Sequence, residues 1–173
     1  MVVRNSIRFI LLILLQLFIF NRIDFGGSVN PFPYILFTIL LPFDIKGMVL
    51  LFTSFILGLT LDLFSLTLGI NAAACTLVAF LRPTILRLVF SRTDDMQKNQ
   101  PNIASMGTYR FFVYSYIMVF IHHLCIFSME IFRFNEFGEI ISRTFMSSIF
   151  TIIIVFIHQY LFTSRKVGRV YIR

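Results

Sequence analysis

The stretch FILGLTLDLFSLTLGINAA, Phe55–Ala73, decides how this chain is read. Its only charge is Asp62, with apolar sequence on both sides. Gly58 stands four residues before the aspartate and Gly69 seven after it. An apolar run, a short polar break over Ser65–Gly69 and a second apolar run predict two antiparallel membrane helices joined by a tight turn. Gly69 suits a turn position with positive φ. An aspartate central to a span costs roughly 2.5–3.5 kcal/mol on insertion scales, and less near an interface. The position therefore reads as a joint or a cap before it reads as an ion site. The carboxylate's partner is left open between Asn71, the backbone opening the next helix, and a second chain.

The rest of the sequence has the same character. Of its 173 residues, 58% are apolar and 13% charged, and the mean hydropathy is +0.88. A soluble domain of this size exposes far more polar surface, so one polytopic transmembrane domain, all-α, is expected over residues 1–173. The net charge of +7 is no sign of nucleic-acid binding, because the charges lie between apolar runs and not on a soluble basic face. Cys75 and Cys125 both sit inside apolar runs. They read as small buried hydrophobes rather than as a disulfide or a metal pair. The start resembles a signal peptide, with Arg4 and Arg8 before FILLILLQLFIF. No small-residue cleavage site follows, so a retained first helix is expected.

Six apolar segments can be drawn, at about 6–21, 32–43, 47–64, 69–90, 109–129 and 143–163. Spanning a bilayer takes about 20 helical residues, and the second segment is too short for that. PFPYILFTILLP has prolines at 31, 33 and 42, which suit a helix start and a stop. A short helix here must start earlier, thin the bilayer or be shielded by its neighbours. With a cytoplasmic N-terminus, twelve of the 15 Lys and Arg fall on the cytoplasmic side. They are Arg4 and Arg8, Lys46, the group from Arg82 to Arg110, and the tail from Arg165 to Arg173. Arg22, Arg133 and Arg143 fall opposite, with Asp24, Glu130, Glu136 and Glu139. This bias predicts an even number of spans with both termini cytoplasmic.

Small residues four apart, Ser54/Gly58, Gly69/Ala73 and Cys75/Ala79, allow close helix approach. Arg82 is expected to snorkel toward the cytoplasmic headgroups, and Pro83 to bend its helix. An Asp62–Arg82 pair is poorly placed and not expected, since the two differ in depth by more than about 10 Å along the helices. His122, His123 and Cys125 resemble a metal cluster, but only His122 and Cys125 share a helix face, and zinc needs three or four ligands. No metal and no cofactor is expected. Phosphate-loop, zinc-protease and nucleophile-elbow motifs are absent from the sequence, and scattered single polar groups do not make the converging set that catalysis needs.

NPFPYILFTILLPFDIKG and FILGLTLDLFSLTLGINAAACTLVAFLRP resemble the rod shape-determining MreD family in its Bacteroidota-type form. The similarity is most specific over residues 30–83. It includes the Asn30-Pro31 entry, the Pro42 exit, Gly58-x-x-x-Asp62, the Ser65-x-Thr67-x-Gly69 turn, and Leu81-Arg82-Pro83. From residue 92 onward only hydropathy agrees. The resemblance implies a six-helix membrane bundle similar to the S-components of energy-coupling-factor transporters. It also implies a non-enzymatic inner-membrane part of the bacterial elongasome. Its partners would be MreC, through it the MreB filaments, a SEDS glycosyltransferase and a class B penicillin-binding protein, and the lipid bilayer itself. Gly58, Asp62, Gly69, Asn71, Arg82 and Pro83 are the structural or interaction candidates. The alternative is a small-molecule-binding transporter subunit like an S-component, and a membrane enzyme is a distant third.

Overall fold

A computed structural model describes residues 2–23, 29–89, 100–131 and 137–162. All of its regular structure among these residues is helical: α1 (Val2–Phe18), α2 (Leu36–Ile39), α3 (Gly47–Ser65), α4 (Ile70–Val89), α5 (Ile103–Met106), α6 (Thr108–Ile131) and α7 (Phe137–Phe162), with 3-10 turns at Phe20–Arg22 and Pro33–Ile35. Five helices are long and apolar enough to cross a membrane: Val3–Arg22, Gly47–Ser65, Ile70–Val89, Thr108–Ile131 and Phe137–Phe162. The chain is therefore a helical bundle with the character of a multi-pass membrane protein. Half of the apolar window of α6 is buried, against 17% for α1. Thus α6 is the central helix and α1 a peripheral one.

Four apolar segments of the sequence become helices close to the drawn limits. The last begins six residues earlier than expected, at Phe137. Its early charges, Glu139 and Arg143, read as loop. In the fold Arg143 lies 3.7 Å from Glu130 and 4.0 Å from Glu139, with its guanidinium 4.7 Å over the Phe127 ring. Charges paired in this way no longer end a helix. Several residues used to judge orientation, among them Asp24, Arg92, Lys98, Arg133, Glu136 and the tail from Arg165, lie outside the described residues.

The second segment behaves differently. It forms only the turn Pro33–Ile35 and the single-turn α2, and Tyr34 to Leu41 are all buried. Protein, not lipid, surrounds it. The contacts along it run in order. Gln16 of α1 reaches the Pro31 carbonyl at 3.4 Å, Tyr34 reaches Asn71 at the start of α4, Thr38 meets Ser54 in mid-α3, and Arg82, far along α4, reaches Leu41 and Pro42. At one end of the bundle, Asn21 after α1 donates to Ser65 at the end of α3 at 3.2 Å. At the other, Gln100 donates to Asn5 near the start of α1 at 3.2 Å.

The α3–α4 contact is set by Gly58. A Cβ there would stand 2.5 Å from the Cα of Ala72 and 2.6 Å from its nitrogen. Backbone meets backbone, and only glycine allows it. Ser54, Cys75 and Ala79 are buried as well. Gly69 and Ala73 instead line an outward groove of about 680 Å³ with Leu51, Phe55, Leu59, Thr76 and Phe80. Gly58→Ala is expected to force the helices apart at a cost of about 1–3 kcal/mol, read as a lower melting temperature in detergent. Gly47→Ala, where nothing lies within 4 Å of the added carbon, should leave the melting temperature unchanged.

Candidate functional site: an aspartate cap and a pinned broken segment

The Ser65–Gly69 turn folds for reasons local to the sequence. Helix α3 ends at Leu66, which takes a left-handed conformation (φ 56°), and the Asp62 carbonyl accepts the Thr67 N–H at 3.1 Å. Gly69 follows at φ +85°, and its carbonyl accepts the first helical bond of α4, from Ala73, at 2.9 Å. Gly69 thus holds the N-cap position but has no side chain to cap with. Asp62 supplies the missing group from the previous helix. Its Oδ1 accepts the Asn71 N–H at 3.1 Å and its Oδ2 the Ala72 N–H at 2.8 Å. The Asn71 side-chain amide donates to Oδ1 at 2.9 Å, and the Thr67 hydroxyl donates to the same oxygen. The carboxylate sits on the positive end of the α4 dipole with both oxygens hydrogen-bonded. Of the partners the sequence left open, Asn71 and the α4 backbone are both engaged, within one chain. Asp62 is 3% exposed, and this bonding is what makes such burial tolerable.

Asn71 extends the network. Its Oδ1 accepts the Tyr34 hydroxyl at 2.7 Å and its Nδ2 donates to Thr67 at 3.1 Å. The turn is thereby tied to the second segment.

Arg82 does not snorkel. It is 1% exposed and turned inward, which corrects the sequence expectation. Its Nε donates to the Tyr114 hydroxyl at 3.0 Å, and one terminal nitrogen donates to the carbonyls of Leu41 and, at 3.3 Å, Pro42. Tyr114 in turn donates to the Ile39 carbonyl at 3.0 Å. These carbonyls lie at and just beyond the end of the single-turn α2, where Pro42 has no N–H with which to continue the helix. Arg82 and Tyr114 take the place of water. Pro83, beside Arg82, is exposed, and α4 runs on through it to Val89. Asp62 and Arg82 serve different ends of the second segment and have no shared partner among these bonds.

The entry to that segment is held by α7, through residues the sequence reading missed. Ser147 accepts the Asn30 N–H at 3.0 Å and Thr151 accepts the Phe32 N–H at 3.1 Å. Thr151 then contacts His123 Nε2 at 3.1 Å, and His123 Nδ1 contacts the Val119 carbonyl at 2.8 Å. These bonds assign the proton to Nδ1, leaving Nε2 to accept from Thr151. Thr144, Ser147, Ser148, Thr151 and Gln159 form a buried polar stripe on α7. Their helical spacing was the available signal. His122 lies 3.9 Å from Cys75 of α4, and Cys125 contacts Met129 instead. The histidines and Cys125 thus do not converge, and no group of three metal-ligating side chains occurs among the described residues.

Comparison of the chain with models of known protein families, with curated proteins and with solved structures finds no match. Three polar clusters, around Asp62, Arg82 and Thr151, tie α3, α4, α6 and α7 to the broken segment.

Two substitutions separate the Asp62 and Arg82 clusters. Asp62→Ala leaves the N–H groups of Asn71 and Ala72 without their acceptor and should cost about 1–3 kcal/mol, with Asp62→Asn retaining part of that. Arg82→Met should destabilise by a similar or larger amount, because two buried carbonyls lose their donor. Arg82→Lys should rescue poorly, since an ammonium lacks the fork that reaches the tyrosine and the carbonyls together. Thermal melting in one detergent, with Arg87→Met at an exposed position of α4 as the reference, measures all of these.

Proposed function

We propose that this chain is a non-enzymatic membrane scaffold of the bacterial elongasome, of the MreD type, that docks an MreC-like partner and so helps organise peptidoglycan synthesis. One observation carries the reading. The residues that give the sequence its resemblance to that family form one framework: the Asn30-Pro31 entry opens the broken segment, Asn71 and Arg82 bond it directly, and Gly58, Asp62 and Gly69 set the α3–α4 turn that holds Asn71 in place. Their chemistry goes into rigidity, as a scaffold requires.

The same contacts favour six crossings and an S-component-like bundle. Asn21 meets Ser65, so α1 and α3 run parallel. The chain from Asn30 to Lys46 then returns across the bundle, pairing in turn with the start, middle and far part of neighbouring helices. Both termini lie on one side in this reading, and the basic bias of the sequence makes that side cytoplasmic. Gly58, Ser54, Cys75 and Ala79 are used inside the bundle. The outward floor of Gly69, Ala73 and Thr76, flanked by Phe55 and Phe80, is left as the face for the single span of an MreC-like partner, since small residues let a helix backbone come close.

Affinity purification of the tagged chain from rod-shaped cells in mild detergent should recover the MreC-like protein and, through it, the synthase pair. Ala73→Phe should lower that recovery several-fold and round the cells at unchanged chain levels. Full recovery and normal shape would remove the docking face, and no MreC-like protein with the wild-type chain would remove the scaffold reading. A second reading, a small-molecule-binding transporter subunit, is favoured by a polar pocket at the Asn21–Ser65 end of the bundle.

A further inference from the structure

That pocket measures about 370 Å³ and opens between α1, the second segment, the α3–α4 turn and the end of α6. It is of the size that takes a metabolite or a lipid headgroup. Several of its hydrogen-bond donors are engaged. The amide of Asn71 serves Asp62 and Thr67, that of Asn21 serves Ser65, and the Tyr34 hydroxyl serves Asn71. Two acceptors stand beside them, one on Gln16 and one on Glu130. The Gln16 amide nitrogen faces the Pro31 carbonyl at 3.4 Å, an acceptor that cannot donate, and Asn21 Oδ1 at 2.8 Å, so the carbonyl assigns the amide's orientation. Its oxygen is buried with no partner among the described residues, on a side chain 2% exposed. A buried carbonyl oxygen without a donor costs about 1–3 kcal/mol, so a donor from outside the protein would relieve it.

Among the described residues that line the pocket, Glu130 alone carries a charge, which favours a cationic donor. Glu130 lines the same pocket. Arg143 is shared between Glu130 and Glu139, so this trio carries one net negative charge. Phe20, Phe32 and Tyr34 complete the wall, and aromatic faces attract cations. We infer that this pocket binds a primary ammonium group, its N–H donors shared between Gln16 Oε1 and the Glu130 carboxylate and its body against the rings. Such a group comes either from a soluble amine or from the ethanolamine headgroup of a lipid. The inference goes beyond the scaffold reading and holds under either account of function.

The test uses the full chain in detergent, with native mass spectrometry and thermal melting. Three probes are compared: ethanolamine, phosphatidylethanolamine, and phosphatidylcholine, whose quaternary ammonium has no N–H. Phosphatidylethanolamine should bind about tenfold tighter than phosphatidylcholine, the effect of one hydrogen bond involving a charged group. Stabilisation by free ethanolamine as well would indicate a soluble amine, and stabilisation by the lipid alone would indicate a headgroup. Gln16→Leu and Glu130→Gln should each remove the preference. Gln16→Glu, which keeps the acceptor and adds charge, should strengthen it and guards against a folding defect in Gln16→Leu. Equal binding of the two lipids with no response to ethanolamine, or a preference that survives both Gln16→Leu and Glu130→Gln, would overturn the inference. These readouts do not involve MreC-like partners, so their failure leaves the scaffold reading standing.

Discussion

A backbone that is not a continuous helix cannot lie in hydrocarbon with its polar groups unpaired, because each one left unsatisfied costs several kcal/mol. The rest of the structure depends on this constraint. Two prolines at its start and one at its end keep residues 31–42 from forming a spanning helix. The protein answers at both ends of the break. Ser147 and Thr151 of α7 accept the entering N–H groups, and Tyr114 of α6 and Arg82 of α4 donate to the departing carbonyls. Thr38 and Ser54 join the middle to α3 at 3.2 Å. A buried arginine is ordinarily paired with an acid. Here backbone carbonyls take that role, since a broken helix end offers several of them pointing one way.

The α3–α4 hairpin follows the same logic at smaller scale. Gly69 gives the turn its left-handed residue but leaves α4 without a capping side chain. Asp62 caps the helix from across the turn, and it reaches there because Gly58 allows α3 and α4 to approach backbone to backbone. Asn71 then passes the constraint to Tyr34. The turn, the close helix pair and the broken segment form one continuous bonded unit.

Much of the fold was legible in the sequence, and the exceptions have physical causes. Helices α3 and α4 fall within a residue or so of the drawn segments, because Gly47, Ser65 and Gly69 bound uniformly apolar runs. The start of α7 was misplaced because Glu139 and Arg143 look like loop residues until Glu130 and Phe127 are seen beside them. The shortness of the second segment was plain from its prolines. Shielding by neighbouring helices was only one of three ways the sequence left open for it, since hydropathy does not distinguish lipid from protein as the apolar surroundings. The Asp62–Asn71 contact was within reach of sequence reasoning because both residues flank one turn. The role of Arg82 was not, because its partners are mostly carbonyls, which every residue carries. Ser147 and Thr151 sat at helical spacing, yet hydroxyls in membrane helices are common enough to carry little signal alone.

The central claim is that residues 30–42 lie inside the bundle as a broken segment bonded at both ends by neighbouring helices. Hydrogen–deuterium exchange of the chain in lipid nanodiscs tests it most directly. The amides of Asn30, Phe32 and the stretch from Ile35 to Leu40 should exchange as slowly as those of α6, and should become fast when Arg82 and Tyr114 are replaced by Met and Phe. Exchange of this stretch at loop rates in the unaltered chain would contradict the account.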